Sequence, residues 1–333
     1  MSQTYRKAGV NIAAGEVVVE RIKRNVRSTF TKNVLADIGS FGAFYRASFP
    51  GIKEPVLVSS VDGVGTKLKI AFAMKRFDTV GQDLVNHCVN DIAVCGARPL
   101  YFMDYFAAGK LSPKVAENVI SGFVKACKNN SCSIIGGETA EMPGIYRSNE
   151  FDIAGTIVGV VEKKKIIDGK RIKRGDVLIG LPSTGLHTNG YSLARKVLLP
   201  AIPLRKFYKE LNSTLGDALL AVHRSYLSPI RLLHSRGIVK GMSHVTGGGI
   251  IGNTMRVIPK DLQIDVDWNS WDRPAIFSMI QRKGAVPEGD MRRTFNLGIG
   301  LIFIVSPRSV KEANYLLKRH NEKPVIIGEV VQG

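Results

Sequence analysis

The segment "SSVDGVGTKLKI" (59–70) holds side chains that could bind a phosphate or a metal ion. An aspartate and a glycine follow a run of strand-forming residues, which is typical of a turn that leaves a carboxylate at the end of a strand. The next glycine permits close backbone approach, and the threonine and lysine can donate hydrogen bonds to phosphate oxygens. A plain Asp-Gly hairpin with a surface lysine is the alternative. The candidate phosphate-binding or metal-binding residues are Asp62, Gly63, Gly65, Thr66 and Lys67.

A second set of polar residues lies on a helix predicted over 82–96. Asp83, His87 and Asn90 are spaced i, i+4 and i+7, so they share one helix face, and Asp91 lies beside them. Carboxylate and amide oxygens suit Mg²⁺, which prefers hard oxygen ligands and keeps several waters. The same pattern also fits the solvated face of an ordinary amphipathic helix, so spacing alone leaves both interpretations open.

The segment "IIGGETAEMPGIY" (134–146) is the third candidate. A predicted strand runs into Gly136-Gly137 and then presents Glu138, with Glu141 three residues later. Loops at strand ends often carry ligand-binding residues, although a capped turn would also explain these side chains.

Two loops place a histidine beside glycines near the predicted start of a helix. "STGLHTNGYSL" (183–193) contains His187, Thr188 and Asn189, and "SHVTGGG" (243–249) contains His244. Free backbone N–H groups at a helix start can bind an anion, which makes the two loops candidates for a phosphate-handling site. A lone histidine is more often a structural hydrogen-bonding group. The loop "DIGSFGAFYR" (37–46) could be a mobile lid.

Composition sets broad limits on function. The chain has 333 residues, 44% of them hydrophobic, which suggests about two globular domains. No segment reaches the length of a membrane span, and the first residues lack the apolar block of a secretory signal, so we expect a cytoplasmic protein with four reduced cysteines. The net charge is +19, divided as +6 over residues 1–150 and +13 over 151–333, which favours anionic partners without choosing one.

Hydrophobic periodicity predicts an α+β chain whose two domains meet near residues 163–175. A Walker loop is absent, and the GxGxxG at 247–252 does not follow a convincing strand, so a Rossmann site is not predicted. The predicted helices are 16–28, 82–96, 113–128, 190–199, the region 215–234, a helix from about 250, and 308–319. The predicted strands are 54–61, 100–108, 132–137, 152–162, 176–182, 262–267, 297–306 and 324–331.

Together these segments resemble the aminoimidazole ribonucleotide synthetase (phosphoribosylformylglycinamidine cyclo-ligase) family. The resemblance covers nearly the whole chain in order, and "GGETAEMPG" beside "DGVGTK" is its most specific part. The other matching segments are "YRKAGVNIAAG" (5–15), "NHCVNDIAVCGARPLYFMDYFAAGKL" (86–111), "GLHTNGYSL" (185–193), "HVTGGG" (244–249) and "IGEVV" (327–331).

The resemblance implies an ATP-dependent ring-closing ligase of purine biosynthesis that uses Mg²⁺, with a monovalent cation as a second candidate ion. It implies an N-terminal ATP-binding and dimerisation domain (1–165), whose mixed sheet pairs with a second copy to form a barrel. It also implies a C-terminal α/β-type sandwich domain (166–333) that contributes to the substrate and phosphate site. Residues implied for ATP are Asp62, Gly63, Gly65, Thr66, Lys67, Asp91 and Glu138. Asp62, Asp91 and Glu138 are implied for the metal, and His187, Asn189 and His244 for catalysis.

Two functions other than a cyclo-ligase fit parts of the sequence. Selenophosphate synthetases and thiamine-monophosphate kinases resemble this chain in the acidic N-terminal pattern, but "GGETAEMPG" favours the cyclo-ligase. A basic nucleic-acid-binding protein would explain the charge, yet no interleaved basic and aromatic motif occurs, and basic charge alone supplies only non-specific affinity. We therefore expect phosphorylated small molecules as ligands, no specific nucleic acid and no membrane partner.

Overall fold

The computed structural model describes residues 9–199 and 201–333. The first part of the motif at 5–15 lies outside the described residues, as does Pro200. The chain divides into two compact units, whereas the sequence analysis placed a single boundary after residue 165. Unit one is Met1–Ile92 with Arg98–Glu162, and unit two is Ala93–Ala97 with Lys163–Gly333.

Unit one is built on a four-stranded mixed sheet with helices. Its strands are β1 (Pro55–Gly63), β2 (Arg98–Ala108), β3 (Ser133–Glu141) and β4 (Phe151–Glu162). Its helices are α1 (Ile12–Arg27), α2 (Leu68–Met74), α3 (Asp78–Ala93, whose last residue belongs to unit two) and α4 (Pro113–Asn129).

The strand order in unit one is β1-β4-β2-β3. β2 and β3 are parallel and are joined by α4, as a parallel pair requires a crossover connection, while the other two pairs are antiparallel. The register aligns four residues in a row across the sheet. Asp62 lies opposite Gly155, Gly155 opposite Asp104, and Asp104 opposite Gly137. The ends of β1 and β3 that carry candidate residues are therefore three strand spacings apart.

Local sequence explains the helix that joins these strands. Pro113 occupies the first turn of α4, where its missing N–H costs no helical hydrogen bond. The apolar residues then recur at helical spacing and are buried. In β4, buried and half-buried residues alternate from Phe151 to Val158, which shows that one face of the sheet is better covered than the other.

Unit two contains a five-stranded antiparallel sheet with the order β8-β10-β5-β11-β9 and a two-stranded hairpin. Every residue of the central strand β10 is buried, as its unbroken apolar sequence predicts. The strands are β5 (Val177–Pro182), β6 (Phe207–Tyr208), β7 (Ser213–Thr214), β8 (Val239–His244), β9 (Leu262–Val266), β10 (Ile299–Val305) and β11 (Val325–Gln332). The helices are α5 (Tyr191–Leu198), α6 (Leu215–Leu220), α7 (Leu227–Ser235), α8 (Gly249–Thr254), α9 (Ala275–Gly284), α10 (Glu288–Thr294) and α11 (Val310–Arg319).

The predicted elements are present with shifts of a few residues at their ends, and the α+β fold class of two domains is confirmed. The sequence analysis missed α2, α9, α10, the β6–β7 hairpin and β8. Because β8 ends at His244, the glycines at 247–249 do follow a strand, contrary to the prediction. Asp62 and Gly63 are paired within β1 and do not form a hairpin turn, and β3 continues to Glu141, so Glu138 lies in a strand.

A search of the helices in residues 9–199 and 201–333 finds none with the length and hydropathy of a membrane span.

Two glycines bring α3 and α4 together backbone to backbone. A Cβ atom added at Gly81 would lie 2.2 Å from the carbonyl oxygen of Val119, and one at Gly122 would lie 2.3 Å from the carbonyl oxygen of Asp78. The obstructing atoms belong to backbones, so no rotamer change can make room for a methyl group.

We therefore expect Gly81→Ala to lower the free energy of unfolding by about 1–3 kcal/mol, because the two helices must separate. Gly15→Ala is the matched control, since an added Cβ there meets nothing within 4 Å and alanine is the better helix former. Urea unfolding followed by circular dichroism would measure both variants. An unchanged Gly81→Ala midpoint would contradict the close helix contact.

Candidate active site

Two carboxylates of unit one converge on one histidine. His87 Nε2 of α3 lies 2.8 Å from Asp62 Oδ2 of β1 and 3.7 Å from Asp91 Oδ2. Asp62 also accepts a hydrogen bond from the N–H of Gly63 at 2.7 Å, and Asp91 accepts one from the Ser60 hydroxyl at 3.1 Å. The His87 side chain is 5% exposed, whereas those of Asp62 and Asp91 are 39% and 29% exposed. The carboxylates thus remain open to a ligand while the imidazole lies behind them.

Burial and charge compete at this cluster. Desolvation raises the pKa of Asp62, but the hydrogen bond from His87 and its charge outweigh desolvation and leave the pKa lowered. Desolvation lowers the pKa of His87, but the hydrogen bond to Asp62 and the charges of Asp91 and Asp62 leave it raised. Two half-exposed carboxylates held close together are a donor set that fits a hard divalent cation such as Mg²⁺.

Lys67 does not occupy the position that its motif suggested. Its side chain is fully buried, and its Nζ lies 2.7 Å from Asp83 Oδ2, which is also fully buried. Burial lowers the pKa of Lys67, and the charge of Asp83 opposes that shift. The expectation that Lys67 contacts a phosphate is therefore corrected: its ammonium is the counter-ion of Asp83. Of its neighbours in the motif, Gly65 and Thr66 are exposed.

Glu138 is not brought to the Asp62–Asp91 pair within one chain. Three strand spacings of about 4.8 Å separate its strand from β1, which is farther than an aspartate and a glutamate can span through one ion. Glu138 instead lines a cavity of about 580 Å³, together with Gly137, Asp104 and the loop residues 37–43. The predicted lid and the predicted acidic strand end therefore belong to the same cavity, which the sequence analysis treated as separate features.

Asp104 is a titratable group in this cavity that sequence reasoning did not select. A Cβ atom at Gly137 would lie 2.4 Å from Asp104 Oδ1, so glycine there leaves the space that the carboxyl occupies. Burial raises the pKa of Asp104 to about 7, because the charged form loses hydration.

Three of the six histidines form a compact cluster in unit two. His187 lies between β5 and α5, His223 between α6 and α7, and His244 at the end of β8, and all three are at least 94% buried. The rings of His187 and His223 stack at 4.0 Å with 15° between their planes, and Nε2 of His223 lies 2.9 Å from Nε2 of His244. Parallel rings do not point their lone pairs at one ion, so we interpret the cluster as a hydrogen-bonded stack.

The backbone around the cluster is shaped to admit these rings. His187 has φ of 60°, a left-handed conformation that is uncommon for a residue with a side chain. Its Nε2 accepts a hydrogen bond from the Thr184 N–H at 3.2 Å. A Cβ atom at Gly300 of β10 would lie 2.6 Å from His187 Cε1 and 2.0 Å from the Tyr226 hydroxyl oxygen. Gly300 therefore provides the space that lets both rings approach the strand.

Asn189 and the glycines near His244 lie at the same end of unit two. A Cβ atom at Gly247 would lie 3.2 Å from Asn189 Oδ1. The Asn253 side chain donates hydrogen bonds to the carbonyl oxygens of Thr246, Gly247 and Gly249. These bonds fix the glycine turn that follows His244. The structure thus brings the predicted residues His187, Asn189 and His244 into one region of unit two.

Sequence reasoning missed His223. The residue stands in "AVHRSY" (221–226), without neighbouring glycines and without a spacing relation to His187 or His244. Its relation to them depends on how three separate loops meet, and no local pattern predicts that. His87 was noticed in the polar helix stripe, but its contact with Asp62 could not be read from spacing along the helix.

The chain matches two family descriptions and many curated relatives. Residues 49–161 match "AIR synthase related protein, N-terminal domain", and residues 173–333 match "AIR synthase related protein, C-terminal domain". It is 49% identical over 332 residues to a phosphoribosylformylglycinamidine cyclo-ligase of Carboxydothermus hydrogenoformans, covering 99% of this chain and 96% of that protein. A Sorangium cellulosum protein of the same name is 51% identical over 336 residues, with coverage of 99% and 96%.

The chain belongs to the phosphoribosylformylglycinamidine cyclo-ligase family.

Solved structures of other proteins share the fold of this family member. A thiamine-monophosphate kinase from Stenotrophomonas maltophilia K279a has a TM-score of 0.67 at 16% identity, with 95% of this chain and 94% of that chain covered. The hydrogenase maturation protein HypE in complex with ATP has a TM-score of 0.69 at 18% identity, with coverage of 98% and 88%. At such low identity these structures establish the two-domain fold alone.

The buried Lys67–Asp83 pair yields a stability prediction for this cyclo-ligase family member. Lys67→Met leaves Asp83 as an uncompensated buried charge, so we expect the free energy of unfolding to fall by about 3–5 kcal/mol. The double variant Lys67→Met/Asp83→Leu should recover most of that loss.

The control is Lys170→Met, which breaks a 2.7 Å pair with Asp168 whose side chains are 85% and 43% exposed. We expect that control to change stability by less than about 0.5 kcal/mol. Urea unfolding measures all three variants. If Lys67→Met keeps its stability and weakens ATP binding instead, the lysine has the phosphate-binding role that we reject.

The cavity around Asp104 yields a pH prediction. The folded chain keeps the Asp104 proton up to a pKa of about 7, whereas the unfolded chain loses it near its ordinary value of 3.8. Stability contributed by the neutral carboxyl is therefore lost as pH rises from about 4 to about 7. Asp104→Asn removes this dependence. We therefore expect the free energy of unfolding of the variant minus that of the unmodified protein to increase by on the order of 2–4 kcal/mol between pH 4 and pH 8.

Denaturant unfolding at several pH values measures that difference, and the exposed Asp272→Asn serves as control. A difference between Asp104→Asn and the unmodified protein that does not vary with pH would show that folding does not raise the pKa of this carboxyl.

Proposed function

We propose that the protein closes the imidazole ring of 5-aminoimidazole ribonucleotide from phosphoribosyl-formylglycinamidine, with ATP converted to ADP and phosphate, in purine biosynthesis. The observation that carries the proposal is the identity of 49–51% to curated cyclo-ligases over 99% of the chain. The acidic pair of unit one and the histidine cluster of unit two support it, because they supply the two kinds of side chain that the reaction needs.

The chemical difficulty of the reaction is the amide oxygen of the substrate, which is a poor leaving group. Transfer of the γ-phosphoryl group from ATP to that oxygen releases ADP and gives an imidophosphate. The amidine nitrogen then attacks the activated carbon, the C–O bond breaks, phosphate leaves, and the nitrogen loses a proton. Positioning and neutralisation of charge account for most catalysis in reactions of this type.

In this proposal, Asp62 and Asp91 would hold Mg²⁺, which would neutralise phosphate charge when bound. His87 orients the Asp62 carboxylate by the 2.8 Å contact of its Nε2, which lies 3.7 Å from Asp91 Oδ2. Ser60 fixes the Asp91 carboxylate from the strand side. Gly63, Gly65 and Thr66 are proposed to contact the nucleotide by backbone or hydroxyl groups, and Lys67 to support the site indirectly through Asp83.

Glu138 is proposed to contact the nucleotide or the substrate from its own cavity and not to share an ion with Asp62 of the same chain. The cavity combines the half-buried Asp104 with glycine-rich backbone at residues 136–137 and 39–42. Such a surface offers carboxylates and backbone amides for hydrogen bonds to a polar ligand.

His187, Asn189 and His244 are proposed to serve the substrate and the phosphate transfer. Imidazole groups can donate a hydrogen bond to a developing negative charge or move a proton. The residues 166–333 would in this way form the substrate-handling domain, and the residues 1–165 the ATP-binding domain. A monovalent cation has no assigned ligands in this proposal.

A homodimer and a cytoplasmic location are also proposed. Support for the dimer comes from β1, where Leu57 and Val61 are 61% and 69% exposed on the same face of the strand. Exposed apolar side chains in one strip of a sheet favour burial against another surface. The cytoplasmic location rests on the family's metabolic role.

We expect Asp91→Asn to abolish ATP-dependent cyclisation, because the neutral amide lacks the negative charge that the carboxylate offers a divalent cation, while the fold and the dimer stay intact. A coupled assay of ADP release and product formation measures the activity, and light scattering measures the dimer. Asp272→Asn, an exposed change of the same type, should retain full activity. Full activity in Asp91→Asn would remove this residue from the metal site, and an unmodified protein that cannot form the product would refute the proposed function.

A further inference from the structure

We infer that His223 is a positioning residue that holds His244 in the tautomer with its proton on Nδ1, so that His244 acts as a fixed hydrogen-bond donor. The inference rests on the proposed function in one respect, namely that His244 serves the cyclisation. It assigns a role to a residue that lies outside the sequence motifs of the site.

The two ring nitrogens of His223 lie against two different polar side chains. Its ring is fully buried, its Nδ1 lies 3.4 Å from the Thr188 hydroxyl oxygen, and its Nε2 lies 2.9 Å from Nε2 of His244. A histidine with only a packing role usually bonds to a backbone carbonyl or to water. His223 instead connects the loop of Thr188 to the end of β8.

The Nε2 contact between the two rings constrains their protons. A hydrogen bond between two imidazole nitrogens needs one N–H group and one lone pair. If both rings are neutral, one ring therefore carries its proton on Nε2 and the other carries it on Nδ1. The two histidines must have opposite tautomers, whichever of them is the donor.

The side chains of Thr188 and Asn189 continue the chain of hydrogen bonds beyond His223. The amide Nδ2 of Asn189 donates to the Thr188 hydroxyl oxygen at 3.4 Å. The Thr188 oxygen has a second lone pair as well as its own hydrogen, and we assign the hydrogen to Nδ1 of His223, which leaves the His223 proton on Nε2. Nε2 of His223 donates to Nε2 of His244, and the His244 proton therefore lies on Nδ1.

Packing keeps His223 in this orientation. His187 stacks on it at 4.0 Å, and the Nε2 of His187 is occupied by the Thr184 N–H. Tyr226 lies 6.1 Å from His187, between ring centroids, and donates its hydroxyl hydrogen to the Pro182 carbonyl oxygen at 2.8 Å. The nearby cation Arg224 stacks on Tyr226 and pairs with Glu322, so its charge is neutralised locally.

A fixed N–H donor suits the phosphoryl-transfer step of the proposed reaction. Negative charge on the substrate oxygen and on the transferred group grows during that step, and a donor whose proton position is already fixed needs no reorganisation. His244 would then stabilise charge and would not remove the amidine proton. The sequence left two roles open for this histidine, hydrogen-bond donation and proton removal, and the assignment selects donation.

Two variants of His223 separate positioning from packing. His223→Gln keeps an N–H donor near the position of the imidazole Nε2, whereas His223→Leu removes it. We expect His223→Leu to lower kcat about 10–100-fold with the KM for ATP changed less than about threefold, as for loss of a residue that orients a catalytic group. His223→Gln should recover most of kcat. His320→Leu, the same change at an exposed histidine, is the control and should leave kcat and KM unchanged.

Nuclear magnetic resonance of the ¹⁵N-histidine-labelled full-length protein tests the tautomers without an activity assay. We expect the Nε2–H tautomer for His223 and the Nδ1–H tautomer for His244, with the latter kept in His223→Gln. The reverse assignment, identical tautomers, or a folded His223→Leu protein with unchanged kcat would each overturn the inference. If the unmodified protein lacks cyclisation activity, the proposed function falls, and the tautomer measurement still judges the hydrogen-bonded pair.

Discussion

The charged residues of α3 have to be neutralised inside the protein, and much of unit one is arranged around that requirement. Asp83 and His87 are buried on this helix, where an unpaired charge would cost several kcal/mol. Lys67 neutralises Asp83, and Asp62 of β1 accepts a hydrogen bond from His87. The strand, the short helical turn after it and α3 are consequently held together by polar contacts as well as apolar packing. The half-exposed carboxylates at the end of this arrangement are the part left available to a ligand.

Unit two buries three imidazole rings beside an antiparallel sheet, and their nitrogens must be accommodated there. Stacking accommodates two rings face to face, and a ring-to-ring hydrogen bond accommodates the third. Each buried nitrogen needs a partner of the right polarity, so the protons of the cluster are coupled to one another. That coupling gives each imidazole of the cluster a defined proton position, whereas solvent-exposed histidines would exchange tautomers freely.

The sequence predicted the elements with strong periodicity and the polar residues that end them. The amphipathic α4, the alternating β4 and the unbroken apolar β10 were recognisable because each follows a single period. β8 was missed because a glycine and a serine interrupt its apolar pattern, although four of its residues after Lys240 are buried. The family resemblance supplied the rest of the function.

What local patterns could not supply was the environment of individual side chains. "DGVGTK" suggested a phosphate-binding lysine, but burial against α3 made Lys67 an internal counter-ion, and no pattern within six residues encodes that packing. The family resemblance implies that Glu138 shares a metal site with Asp62, while the strand order separates their strands by three spacings. His223 reached the cluster through the meeting of three loops, which only tertiary structure reveals.

Gly300 has an implication for how this protein can change over evolutionary time. Any side chain there would displace Tyr226 and His187 at once, so drift at position 300 is coupled to the identity of two residues far away in sequence. A lineage that replaced His187 by a smaller residue would gain room on one side only, and the tyrosine would still exclude a methyl group. We therefore expect position 300 to remain glycine as long as both rings are present. Designers who diversify β10 should keep Gly300 and vary its neighbours.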